Sequence, residues 1–212
     1  SSSALKELAP DNYFYSQGNR FAISGLNTYD WKDSGVLLKM RFCSNCDHLA
    51  NSATSTEQTC PKCNDSSWSS AQNHHTFVKL NGVKSINKRE RSALDDSSDD
   101  RDSNNYRLSR HLHFDNTSFQ GAWGMKEIPF GIEYVKNVKL NIVNLGLQKT
   151  GHPNKITINQ QEDVPIHGFV TCRYCGKSTS NINLPDIDYH YGYCKHKGKD
   201  YTNVSDDIFE EV

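Results

Sequence analysis

The sequence predicts a mainly β chain with little helix. Three observations carry this. Its apolar residues fall in short runs bounded by Gly, Asn, Ser and Asp, the pattern of strands and turns. No stretch holds a 3.6-residue apolar period long enough for an extended amphipathic helix. Six of the seven cysteines among 212 residues fall in three C-x-x-C pairs, which cross-link small folds whose core is thin. The core is expected to be thin here: AVILMFWYC residues make up 35%, and even with 13 Gly the total stays below the usual ~45–50%.

Taken in order, Ser2 to Leu8 reads as one short helical turn stopped by Pro10. Tyr13-Phe14-Tyr15 and Arg20-Phe21-Ala22-Ile23 flank the turn-rich Ser16-Gln17-Gly18-Asn19, which is a hairpin signal. Gly25-Leu26-Asn27 turns the chain again, and Val36 to Phe42 is a strand that delivers the first cysteine pair. Residues 67–125 read as polar and irregular, apart from a strand at Phe77 to Leu80 before Asn81-Gly82. Within them Lys88-Arg89-Glu90-Arg91 is followed by the acidic stretch Asp95 to Asp102. The first reading of that pair is a solvated loop near 85–105; the alternative is a basic contact guarded by an acidic switch. Leu112 to Phe114, Ile132 to Val135 and Val138 to Val143 are further strands, and 149–163 is a polar connector. The expected organisation is an entry segment (1–42), a first cysteine ribbon (43–66), a β-rich middle (67–163), a second Cys/His site (164–200) and an acidic tail (201–212).

The first cluster is Cys43-Ser44-Asn45-Cys46 with Cys60-Pro61-Lys62-Cys63, spaced C-x2-C-x13-C-x2-C. Two residues between cysteines make a tight knuckle that aims both sulfurs at one ion, and its backbone N–H groups can hydrogen-bond the thiolates. Two knuckles complete a tetrahedron of four thiolates, the closed form of structural Zn²⁺. Iron–sulfur clusters also use four thiolates, but the ribbon-like spacing and Pro61 favour zinc. The second cluster is Cys172-Arg173-Tyr174-Cys175 with His190-Tyr191-Gly192-Tyr193-Cys194, spaced C-x2-C-x14-H-x3-C. His190 supplies the fourth ligand that an odd cysteine count leaves missing, and with Cys194 at i, i+4 it would share one face of a helical turn. His196 is the alternative ligand. Two Zn²⁺ per chain are therefore expected, and the fold class becomes a small β domain, α+β with little helix, with two zinc-ribbon sites and long irregular loops. The other histidines have no matched partner spacing and read as packing or surface residues.

Lys+Arg 24 against Asp+Glu 25 give a net charge of −1, which excludes a uniformly basic nucleic-acid binder but leaves local patches. One basic stretch is Lys79, Lys84, Lys88, Arg89 and Arg91; a second is Lys126, Lys136, Lys139, Lys149 and Lys155. Phe77, Trp123, Phe130, Tyr134, Phe169 and Tyr174 interleave with them, and cations beside open aromatic faces suit single strands. The competing reading places these rings in the core. No P-loop, G-x-S-x-G, H-E-x-x-H or dinucleotide-binding fingerprint occurs, so no catalytic residue is assigned. No ~18-residue apolar run exists, so no membrane partner is expected. C-x-x-C pairs without a secretory leader indicate the reducing cytoplasm. The start at Ser1 and the acidic end suggest a piece of a longer protein.

Several phrases together resemble a known family. They are Ala4 to Asn12 with Gly18-Asn19-Arg20, the two first-cluster knuckles, Pro129-Phe130-Gly131-Ile132-Glu133-Tyr134, Asn144-Leu145-Gly146, and Gly168 to Gly176 followed by His190 to Cys194. This series is similar to the zinc-bearing C-terminal region of large bacterial DEAD/DEAH-box (superfamily 2) helicases, including Mrf-type repair helicases and the helicase-like proteins of the Druantia and DISARM phage-defence systems. The resemblance implies a non-catalytic accessory region that supports DNA binding or domain docking. It implies metal ligands at Cys43, Cys46, Cys60, Cys63, Cys172, Cys175, His190 and Cys194. It also implies an ATP-binding motor in the same parent chain, with DNA, the motor domains and a defence-complex subunit as partners. The alternative function is a scaffold module that docks such a subunit.

Overall fold

The structure, a computed structural model, describes residues 2–28, 37–87, 104–114, 118–148, 154–172, 174–180, 190–195 and the backbone of 207–211. It is mainly β, as the sequence predicts. Helix α1 (Ser2–Glu7) leads into β1 (Tyr13–Ser16) and β2 (Asn19–Leu26), a hairpin closed by Gln17-Gly18. Then follow β3 (Leu37–Phe42), β4 (Leu49–Asn51), β5 (His74–Lys79), β6 (Val83–Asn87) and β7 (Tyr106–His113). Next come β8 (Phe119–Gly124), β9 (Gly131–Val135), β10 (Lys139–Leu147), β11 (Lys155–Ile158) and β12 (Gln161–Pro165). The chain closes with β13 (Val170–Thr171), β14 (Ser178–Thr179) and β15 (Asp207–Glu211).

The centre is a six-stranded sheet ordered β4-β3-β5-β15-β10-β7; β1, β2 and β6 form a second sheet, and three hairpins stand beside them. β15 runs parallel to β5 and antiparallel to β10, so residues far apart in the chain meet mid-sheet. The outer strands β4 and β7 also approach each other, so the sheet curls toward a barrel. β10 is buried without interruption from Asn141 to Leu147, the signature of a strand covered on both faces. On one face Phe42, Phe77, Val143 and Leu145 pack with Ile156, Ile158, Val164 and Ile166. On the other, Ile142 and Val78 pack with Leu5 and Ala9 of the α1 region, Leu26 and Phe169. Each fully buried side chain of this size contributes roughly 1.5–3 kcal/mol.

Three readings are corrected. The polar connector at 149–163 holds the β11–β12 hairpin, whose alternate residues Ile156, Ile158 and Val164 cover the core. Gly25-Leu26 lies inside β2, at a register shift opposite Lys84, rather than in a turn. Residues 67–125 are less irregular than read: besides β5 and β7, which fall on the expected strands at 77–80 and 112–114, they hold β6, β8 and two 3-10 turns (Ser66–Ser69 and Ala71–Asn73). Val36, the Lys88–Asp102 charge pair and Lys149 lie outside the described residues. Among the described residues no helix is long and apolar enough to cross a membrane.

Candidate metal centres

β3 ends at Phe42 and hands the chain to the first knuckle, Cys43 to Cys46; the second knuckle, Cys60 to Cys63, folds back against it. All four sulfurs lie within 4.8 Å of one another. Cys43 and Cys63 are 3.5 Å apart, and Cys46 and Cys60 3.7 Å. A tetrahedron with metal–sulfur bonds of ~2.3 Å has edges of about 3.8 Å, so the cage matches a single four-coordinate ion. The Cys43 N–H donates to the His48 carbonyl, and Cys60 N–H donates to the Asp65 carbonyl, which fixes both knuckles. Asp65 also caps the following 3-10 turn through Ser67 N–H and accepts from the Ser44 and Ser67 hydroxyls at 2.8 and 2.6 Å. Trp68, fully buried, packs with Cys43, Cys60 and Ala50. From below, the β11–β12 turn donates Asn159 N–H to Cys43 O and Gln160 N–H to Ser44 O.

Burial pushes the Cys43 thiol up to about 12, although the Asn45 and Cys46 N–H groups oppose it, and burial raises Cys46 as well. Burial also acts upward on Cys63, but the Asp65 N–H and the neighbouring thiols outweigh it, so its net shift is downward. Without a cation the four sulfurs cannot all ionise in so small a space. A divalent ion reverses that logic by pairing with the thiolates.

The second centre gathers Cys172, Cys175, His190 and Cys194, all buried, with ligand atoms again within 4.8 Å. Cys172 and Cys194 sulfurs are 3.9 Å apart, and His190 Nδ1 faces them at 3.1 and 3.5 Å. The histidine thus presents Nδ1 to the cage. The β13–β14 turn forms the knuckle: Cys172 N–H donates to Lys177 O, Gly176 N–H to Cys172 O, and Cys175 N–H points at Cys172 Sγ from 3.5 Å. Burial raises Cys172 to about 11; on Cys175 burial acts upward but donors from Tyr191 and Lys177 prevail, and the net is downward. His190 and Cys194 come from a tight turn, in which Cys194 N–H bonds Tyr191 O, not from the expected helical turn. His196 lies outside the described residues.

The eight expected ligands are therefore brought together in two groups of four. The sequence reading missed their supports. Lys84 donates to Cys175 O at 2.9 Å, Tyr191 and Ser24 hydroxyls meet at 2.7 Å, and Leu26 N–H bonds Gly176 O at 2.7 Å, docking the second knuckle on β2. Only Asp65 carried a local signal, an Asp two residues before a serine just after a knuckle. Other histidines pack rings as expected: His48 lies against Trp68 and His113, His75 against Phe42, and His111 against Phe42 with Nδ1 at 3.1 Å from Asp47 O. Burial first, and then His113 and Lys62, hold His48 down to about 4; burial holds His111 down to about 4.

The proposed nucleic-acid residues divide. Phe77 and Phe169 are core, whereas Trp123, Phe130, Tyr134 and Tyr174 are at least half exposed. Lys84 is committed to the second centre, and Lys155 pairs with Asp163 at 3.3 Å. Comparison of the chain with family models, with curated proteins and with solved structures finds no match.

Proposed function

We propose that this chain is a non-catalytic zinc-binding accessory domain of an ATP-dependent superfamily 2 helicase or translocase, serving phage defence or DNA repair. One observation carries the non-catalytic part of this reading: each centre draws four ligands from the protein at tetrahedral spacing, which leaves no coordination position for water or substrate. Zinc is the metal favoured by the donor sets, four thiolates in one centre and three thiolates with an imidazole in the other. Sulfurs too close together to enclose a multi-iron cluster favour it as well. A bound ion would tie the two segments of each centre together through its four protein ligands. The protein's part is to hold the thiolates with backbone N–H donors and to keep His190 Nδ1 aimed inward. The helicase context rests on the sequence resemblance, and ATP belongs to the motor of the parent chain. The exposed rings of Trp123, Phe130 and Tyr134, with Lys126 and Lys136 beside them in the sequence, support a role on the nucleic-acid path.

Native mass spectrometry with titration of labelled single- and double-stranded DNA across salt tests this. Two zinc ions per chain and binding that weakens steeply with salt are the expected results. Two zincs with no DNA binding at low salt would replace this function with a docking scaffold. Iron in place of zinc would overturn the metal assignment.

A further inference from the structure

We infer that the mouth of the curled central sheet is a binding site for a small monocarboxylate with an apolar tail. β4 and β7 approach each other across the seam of that sheet without pairing. On the Asp47–His48 side the seam is bridged: His111 Nδ1 lies 3.1 Å from Asp47 O, and the His48 ring stacks on His113 at 5.7 Å. At His113 the space widens into a cavity of about 250 Å³. At ~30 Å³ per water molecule, that is the volume of about eight waters. The mouth of a barrel is a common place for a small-molecule site. Leu38 and Met40 of β3 and Leu49 of β4 form an apolar floor. All three pack in the core cluster that holds Val143, so a tail laid on them would extend the core.

The polar lining selects the other end of the ligand. Asn141 of β10 is only 5% exposed and lines the cavity, and its carboxamide has no hydrogen-bond partner among the described residues. Three residues on, Asn144 shows the usual arrangement: its amide donates to Leu5 O at 2.7 Å, and its oxygen accepts from Gly146 N–H at 3.0 Å. Buried polar groups are nearly always satisfied in this way, so Asn141 calls for a partner inside the cavity. On β4, the Asn51 side-chain oxygen accepts from Ala53 N–H at 2.9 Å, which leaves its NH2 group to donate. Lys139 and His113 line the same space and lie opposite each other in the β10–β7 register. Both are basic, and among the described residues no carboxylate lines the cavity. Two carboxamide N–H donors beside a lysine suit the two oxygens of a carboxylate. A cation would meet charge of its own sign, and an inorganic anion would leave the apolar floor uncovered.

The test follows amide NMR spectra of the whole zinc-loaded chain during titration with hexanoate, which matches the cavity in size, and with hexanamide and hexanol. Hexanoate is expected to shift signals of residues 38–40, 49–51 and 139–141, with a Kd of about 0.1–1 mM. The two neutral analogues should bind at least about tenfold more weakly. Asn141→Leu, close in volume, should weaken hexanoate binding about tenfold or more without lowering the melting temperature, because no hydrogen bond within the chain is lost. Asn51→Asp, at the half-exposed end of β4, should weaken hexanoate by a similar factor and leave hexanol binding as it was. No shift at these residues by about 10 mM hexanoate would overturn the inference. Equal affinity for hexanoate and hexanol would overturn it too, since the cavity would then be apolar without a role for the anion. If Asn141→Leu does not fold, Asn51→Asp decides alone, and unchanged hexanoate binding in it removes the site.

Discussion

The first metal centre grows out of the core, and the second is tied onto it. Cys43 follows β3 directly, and its neighbours Trp68 and Ala50 would bury apolar surface even without an ion. The apolar cluster at the second centre is little more than its own three cysteines and the half-buried Tyr191. Its hold on the body is largely polar: Lys84, the Ser24–Tyr191 hydroxyl pair, the backbone link of Gly25 and Leu26 to Gly176 and Lys177, and Asp11, which accepts from Thr179 and Ser180. The same knuckle chemistry therefore serves two purposes, reinforcing a fold in one place and creating one in the other.

The largest effect expected to separate them comes from removing a ligand. Cys43→Ser should lower the melting transition of the whole chain. Cys172→Ser should lose one metal equivalent and hydrogen-exchange protection at 190–195 while the central sheet melts almost normally. Equal losses of global stability from both would break the distinction. Next, Trp68→Ala should cost about 3–5 kcal/mol by emptying a fully buried site, read by denaturant titration, with no loss of metal from the second centre.

Acid should sharpen the comparison. Burial keeps His111, which lies against Phe42 beside the first centre, at about 4 in the folded chain, below its unfolded value of 6.5. The unfolded state therefore binds more protons between those values. The stabilisation is complete above pH 6.5 and is lost as pH falls through about 4, at most roughly 3 kcal/mol. Melting followed from pH 7 to 4 should show this decline, and His111→Gln should make it shallower, leaving the share of His48, which burial also holds at about 4.

Smaller effects should fall on the second centre alone. Gly176 has φ +77°, and an added Cβ would stand 2.2 Å from Leu26 O. Gly176→Ala should cost at least ~1–2 kcal/mol and weaken metal binding there, as measured by competition with a chelator, without touching the first centre. Lys84→Met should remove about 1 kcal/mol of docking, seen as faster exchange at Tyr191 and Cys194.

The ligands were legible because their chemistry is local: a knuckle needs only two cysteines at fixed spacing, and the odd cysteine called for a histidine. The β1–β2 hairpin was legible for the same reason, since its turn lies at Gln17-Gly18. What escaped was decided by distant partners. Ile156, Ile158 and Val164 are scattered among polar residues and acquire meaning only against Val143 and Leu145. Gly25 looked like a turn residue, yet it sits in a strand because Gly176 O occupies the space where its Cβ would stand. Trp123 and Phe77 are alike as sequence letters, and one is bare while the other is sealed. No local pattern separates them; the pairing of β8 with β9 alone does.

The mid-sheet place of β15 has a kinetic consequence. Among the described residues, the strand that joins β5 to β10 in the sheet is drawn from residues 207–211. Until that segment arrives, both are open edges inside the future core, and such edges pair readily with other chains. Closure joins segments of very high sequence separation, which makes it a slow event. A chain cut before residue 207 would retain all eight metal ligands yet leave a gap in the centre of its sheet, so aggregation rather than metal loss should be the first sign of its failure.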